Sequence, residues 1–349
     1  MQITEKNFGN GYQLITIKNE AGFQLSVTDL GARIVSLGRE KNLVLGFDSA
    51  QEYLEKDVFI GASIGRTAGR IENGRFTLAG ESYHVTTDST TGHSLHGGQP
   101  GFETKKWHYT IENGDDEASV IFTTVSPDNE HGFPGNLSVE VRHTLTKENT
   151  WRITTKGLSD RTTLFNPTNH VYFNLTGDVT QSVAQHKLWL DSPAFAPLRQ
   201  DSIPTGKKVK TSGTAFDFQK TKTLADVFTS DFEQKNLVNG IDHPFFLTEN
   251  NLVAPAAKLT SPDDTIELVV STDLPCIVIF TANFGEAALE IHGKPLADHG
   301  GITFETQIAP GAEQFSDFGS IKLAANEPFE TITNYQIHLK EVKNHGNQS

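Results

Sequence analysis

The sequence predicts an antiparallel all-β fold with few short helices, on three observations. Short runs alternate apolar and polar residues with a period of two. Turn dipeptides separate those runs, and nowhere does a strand-like segment alternate with a helix-like one in the rhythm of parallel βαβ units. The alternation is plain in FQLSV, where Phe23, Leu25 and Val27 share a face, and in NLSVEV, where Leu137, Val139 and Val141 do. ASVIFTTV, TWRITTKGL, TIELVV and CIVIFTANF read the same way. The separators are Asn73-Gly74, Asn113-Gly114, Pro134-Gly135 and Asn239-Gly240, pairs that favour tight turns. Helical periodicity is confined to QEYL and TLADVF, each long enough for a turn or two. No internal repeat of 20–50 residues is visible, which counts against a propeller or solenoid.

The whole chain sets outer bounds. It has 349 residues and a formal net charge of −14. At about 150 residues per domain two domains would be the prior, but β folds run longer as single units. No Pro/Ser-rich linker or composition break divides the chain, so residues 1–349 are expected to form one domain, with a frayed polar tail over about 341–349. An acidic balance with scattered Lys and Arg argues against nucleic acid and anionic membrane as partners. No segment approaches the roughly 18 apolar residues of a membrane span, and no basic-then-apolar leader opens the sequence. The single cysteine, Cys276, lies in an apolar run and excludes an intramolecular disulfide framework. These features lead to the expectation of a cytoplasmic protein.

Chemistry is concentrated in a few stretches. In FNPTNHVYFNL (165–175) an extended chain places Asn166, Thr168, His170, Tyr172 and Asn174 on one face, opposite Phe165, Val171, Phe173 and Leu175. Two amides, an imidazole and a phenol are not what a solvent-facing strand ordinarily shows. In GITFETQIAPG (301–311), Thr303, Glu305 and Gln307 form a polar front over Ile302, Phe304 and Ile308, so a carboxylate is flanked by neutral hydrogen-bond donors. TGHSLHGG (91–98) sets His93 and His96 before a Gly97-Gly98 turn. GASIGRTAGRIENGRF offers Arg66 and Arg70 among small residues, and NGIDHPFF puts Asp242 and His243 after a turn. Each stretch alone is more often an ordinary edge strand or solvated loop. Two polar strand fronts together suggest one shared pocket.

Three chemistries compete for this set. A zinc or non-haem iron site would need ligands from three distant segments with no HxH or HExxH core. A glycoside hydrolase would use Glu305 and Asp242 as its carboxylate pair. Acid–base isomerisation of a free sugar needs one carboxylate base, one imidazole acid and many hydroxyl ligands, and fits best. It requires no cofactor and no metal.

AGRIENGRF, SLHGG followed by GF and Trp107, NPTNHVYFNLTG, GIDHPF and the late FETQ resemble the aldose 1-epimerase (galactose mutarotase) family, in its order and spacing, from about residue 20 to 340. The resemblance implies a large antiparallel β-sandwich and interconversion of the α and β anomers of free hexoses such as galactose and glucose. It implies Glu305 as base, His170 as general acid and His96 as a second imidazole at the ring oxygen. Arg70, Asp242, Asn174, Gln307 and Phe280 are implied as sugar contacts, with Arg70 rather than Arg66 at the motif position. His93 departs from the pattern, in which Asn usually stands there. With unperturbed pKa values near 4.3 and 6.5, a Glu carboxylate and a His imidazolium would coexist between those pH values. A hexose 6-phosphate epimerase and a non-catalytic sugar-binding protein are the alternatives.

Overall fold

A computed structural model describes residues 1–56 and 59–340; the expected frayed tail, 341–349, lies outside the described residues. The chain opens with a four-stranded meander, Gln2–Gly9, Tyr12–Lys18, Gln24–Thr28 and Arg33–Gly38. A nine-stranded sheet follows, in the order His108–Asn113, Glu117–Ser126, Leu137–Thr146, Thr150–Ser159, Phe329–Leu339, Ile266–Thr272, Ala257–Thr260, Lys187–Leu190 and Lys222–Thr223. The third large sheet has five strands in the order Val209–Lys210, Ala194–Phe195, Asp242–Phe246, Cys276–Phe280 and Glu305–Gln307. Their ladders are all antiparallel, as the period-2 patterning and hairpin turns require.

The inward residues of these sheets meet in one apolar core. Ile15, Ile17, Leu25 and Val27 of the meander join Phe122, Val139, Val141, Trp151, Leu268, Val270 and Ile337 of the nine-stranded sheet, and Phe245, Ile277 and Ile279 of the five-stranded one. The alternation in FQLSV and NLSVEV is thus the alternation between this core and the opposite face. Both expected helical turns form, at Ala50–Lys56 and Leu224–Phe228, the latter with a capping box between Thr223 and Asp226. A third helix, Glu233–Val238, ends where Asn239 takes a left-handed conformation, so Asn239-Gly240 closes a helix rather than a hairpin. No helix among the described residues is long and apolar enough to cross a membrane.

Candidate active site

The five-stranded sheet has two unlike faces, and its register explains the site. Asp242 pairs with Phe280, Pro244 with Val278, and Val278 in turn with Glu305, while Cys276 pairs with Gln307. Opposed residues in an antiparallel ladder point the same way, as do alternate residues along each strand. Asp242, Pro244, Val278, Phe280, Glu305 and Gln307 therefore share one face, and all six line a cavity of about 410 Å³. The intervening Phe245, Ile277 and Ile279 enter the core behind. CIVIF shows no polar alternation, so only the register reveals that Val278 and Phe280 face the cavity.

Glu305 sits on the cavity floor, 3 % exposed. Its Oε1 accepts from the Thr303 hydroxyl at 3.1 Å, and that hydroxyl oxygen accepts the Phe280 N–H at 3.0 Å, which fixes the direction of the chain. Gln307 Nε2 stands 3.5 Å from Oε2, and the Gln307 Oε1 is buried without a partner. His170 Nε2 lies 3.4 Å from Glu305 Oε1. Burial, and next the nearby Asp242 charge, push Glu305 up to about 8. Burial drives His170 down to about 4. The unperturbed order is thus inverted: burial favours the neutral carboxyl and the neutral imidazole over the charged pair. Burial therefore works against the carboxylate–imidazolium pair expected from the unperturbed values.

His96 reaches the same cavity from another segment. Its Nδ1 accepts the Gly69 N–H at 3.2 Å, so Nε2 carries the ring proton of the neutral form. Burial, followed by His170 and Arg70, holds its pKa well below the usual range. The two imidazole rings meet edge to face at 5.3 Å. Gly97 is required beside His96, because a Cβ there would lie 2.4 Å from both Arg66 N and Gly65 O. Arg70 and Asp242 both line the cavity, and neither side chain is held in a hydrogen bond or ion pair among the described residues. Burial raises Asp242, and Arg70 opposes that rise.

The two arginines of the AGRI stretch have separate fates. Arg66 is buried, and its guanidinium donates to Ser126 Oγ and Thr163 Oγ1 and to the carbonyls of Ser126, Pro127, Pro134 and Gly135, at 2.8–3.2 Å. Those partners leave it no capacity for a ligand. Arg70 alone faces the cavity.

The polar row of FNPTNHVYFNL needs correction. The segment is not one strand but two short pairings, Thr168–Asn169 with Ser63–Ile64 and Tyr172–Phe173 with Ile302–Thr303. Only His170 and Tyr172 of the row line the cavity. Asn166 bonds both ways with the Ile308 backbone, and Thr168 donates to the Thr306 carbonyl. Asn174, expected as a sugar contact, instead donates to the carbonyls of Asp178, Gln181 and Gly300 and does not line the cavity. These side chains stitch the segment to its neighbours, which holds His170 against Glu305. His93 is likewise outside the cavity: its Nδ1 accepts the Asn73 N–H at 3.0 Å and its Nε2 faces Asp201.

Several lining residues gave no sequence signal. Phe59 has a φ of +67°, and its ring lies 4.6 Å from that of His96 and 5.9 Å from that of His170. Phe284 packs against Phe280 at 5.5 Å. Leu198, Ser202 and Pro204 close a further wall, with Gln99 beside them. Of the expected site residues, Glu305, His170, His96, Arg70, Asp242, Gln307 and Phe280 converge on this one cavity.

A buried carboxyl–imidazole pair with aromatic walls thus lines a cavity on one face of an antiparallel sheet in a β-sandwich. The sequence pattern of the family described as aldose 1-epimerase matches residues 13–336. The aldose 1-epimerase of Escherichia coli K12 is 33 % identical over 339 residues, covering 94 % of this chain and 96 % of that one. The maltose epimerase of Levilactobacillus brevis is 32 % identical over 97 % of this chain and 100 % of its own. The crystal structure of galactose 1-epimerase from Lactobacillus acidophilus superposes with a TM-score of 0.87 at 29 % identity, over 97 % of this chain and 99 % of that one. The chain belongs to the aldose 1-epimerase family and is an isomerase.

Proposed function

We propose that the enzyme interconverts the α and β anomers of a free hexose, with galactose and glucose as candidates, by opening and reclosing the pyranose ring. The observation that carries this reading is the buried Glu305–His170 pair, 3.4 Å apart, with burial favouring the neutral form of each group. Sugar binding moves the proton of the Glu305 carboxyl to His170. Arg70 already favours the Glu305 carboxylate. Glu305 then accepts the proton of the anomeric hydroxyl while His170 delivers its own to the ring oxygen, and the bond between C1 and that oxygen breaks. The pair ends as carboxylic acid and neutral imidazole, its resting form. Rotation about the C1–C2 bond and the reverse transfers close the other anomer. His96 donates a neutral Nε2–H toward the ring oxygen. Arg70, Asp242 and Gln307 hold hydroxyls, and Phe280 with Phe284 packs on the apolar edge of the ring.

A hexose 6-phosphate is disfavoured on charge. Among the described residues Arg70 is the only Lys or Arg lining the cavity, and Asp242 and Glu305 line it too, so a phosphate dianion would meet two carboxyl groups. We read residues 1–349 as one unit, since the core runs from Ile15 to Ile337, and place it in the cytoplasm on its lone buried thiol. The test is polarimetry of freshly dissolved α-glucose and α-galactose with and without protein, with a chelator control. Accelerated decay of rotation supports the reading. Decay at the spontaneous rate for both sugars overturns it.

A further inference from the structure

The cavity is graded in depth. Glu305, His170 and His96 on the floor are 3 %, 5 % and 8 % exposed, whereas Ser202 is half-buried and Gln99 exposed. If the anomeric carbon sits at Glu305, the opposite side of the pyranose ring, C4 with its hydroxyl, points toward this rim. Galactose and glucose differ only there.

The rim is a strap, residues 197–205, whose ends meet where Thr205 N–H donates to the Pro197 carbonyl at 2.8 Å. Gln234 pins its base, accepting the Leu198 N–H and donating to the Leu198 carbonyl. Its tip is a tight turn: Ser202 N–H donates to the Arg199 carbonyl at 3.0 Å, and Arg199 N–H to the Ile203 carbonyl at 2.9 Å. Within that turn Ser202 adopts a φ of +61°, a left-handed conformation costly for a side chain other than Gly, Asn or Asp. A glycine would relieve it, yet a serine stands there, lining the cavity.

The tip is also tied across the mouth. Arg199 donates to both carboxylate oxygens of Asp201, at 3.1 and 2.7 Å, and also to Glu72. His93 Nε2 faces Asp201 Oδ2 at 3.4 Å, and His93 is itself oriented by the Asn73 N–H. Glu72 and Asn73 directly follow Arg70 and Ile71, which pair with Leu95 and Ser94 just ahead of His96. The strap is therefore fastened to the same hairpin that presents Arg70 and His96. Arg199 and Asp201 are each 40 % exposed in these ion pairs, and pairs open to solvent contribute little to stability. Their consequence is placement.

We infer that Ser202 is a specificity-determining residue that reads the C4 side of the sugar, and that His93, Asp201 and Arg199 are positioning residues that hold it at the rim. This rests on the anomer-interconversion reading above. The experiment measures kcat and KM for fresh α-galactose and α-glucose with wild type, Ser202→Ala and Asp201→Ala, together with melting temperatures. The loss of one neutral hydrogen bond predicts a change of about 2- to 10-fold in the galactose-to-glucose ratio of kcat/KM for Ser202→Ala, carried by KM. Asp201→Ala, which touches no sugar, shifts the ratio in the same direction with kcat and melting temperature nearly unchanged. A ratio within twofold of wild type in both variants overturns the inference, as does a fall in kcat equal for both sugars. If wild type turns over neither sugar, the functional reading fails separately. Calorimetric affinities for the two sugars then decide the rim in the same way, by whether the variants change their ratio.

Discussion

Replacing His170 with Asn should reverse the slope of the pH–rate profile. In wild type the reactive form, carboxylate with imidazolium, carries the same single proton as the resting form, carboxyl with imidazole. Between the two pKa values kcat/KM is therefore flat, and it falls on either side as the pair gains or loses a proton. With His170 near 4 and Glu305 near 8, the acid limb belongs to the histidine and the alkaline limb to the glutamate. From pH 6 to 9 wild-type kcat/KM should drop about tenfold. In His170→Asn the only remaining requirement is an ionised Glu305. Burial and Asp242, not His170, are what raise Glu305, so its pKa stays near 8 in the variant. Over pH 6 to 9 the carboxylate fraction grows from about 1 % to about 90 %, and kcat/KM should climb nearly a hundredfold. Its level should lie about 10²–10⁴ below wild type, as for a lost general acid. Polarimetry at each pH, with the enzyme-free rate subtracted, reads both curves. If His170→Asn keeps a wild-type plateau and alkaline fall, His170 is not the proton donor, and His96 becomes the candidate.

Asp242→Asn removes the charge that, after burial, most raises Glu305, so the alkaline limb should move to lower pH while KM rises from the lost hydroxyl ligand; a limb that stays put separates Asp242 from the base. Arg66→Met removes the guanidinium donor from three buried carbonyls, those of Ser126, Pro134 and Gly135, and should cost about 3 kcal/mol or more, read as a lowered denaturant midpoint. Arg70→Met should instead leave the midpoint nearly unchanged and raise KM; equal stability losses in both would refute the division of roles between them. Glu305→Gln should be stabilising at high pH. The folded protein holds the Glu305 proton up to about 8, whereas the unfolded chain releases it near its ordinary value, so wild type loses stability as pH rises through that interval. The variant's gain in melting temperature should vanish below about pH 4.

How far the sequence foretold this site depends on what kind of signal each residue leaves. Period-2 alternation identified Thr303, Glu305 and Gln307 as one polar front, because in that strand every second residue is polar. Phe280 and Val278 belong to the same cavity face but lie in an all-apolar run, where the two faces cannot be told apart without the register against Asp242–Phe246. FNPTNHVYFNL misled in the other direction. Its polar residues do alternate, but Asn166, Thr168 and Asn174 spend their hydrogen bonds on backbone carbonyls of adjoining segments. A polar side chain in a pocket and one that ties down a loop look alike in sequence. The inverted pKa order was likewise hidden, since burial is a property of the assembled chain. Phe59 and Ser202 owe their places to left-handed backbone conformations that nothing in their residue type announces.

The central claim is that Glu305 is the base of a ring-opening acid–base reaction. Glu305→Gln keeps the shape and an acceptor oxygen but takes no proton at neutral pH. Mutarotation of fresh α-galactose by this variant, measured alongside sugar affinity by calorimetry, tests the claim most directly. The account predicts kcat reduced by about 10²–10⁴ with affinity kept within a few-fold of wild type. A variant that binds the sugar and retains more than about a tenth of wild-type kcat contradicts it.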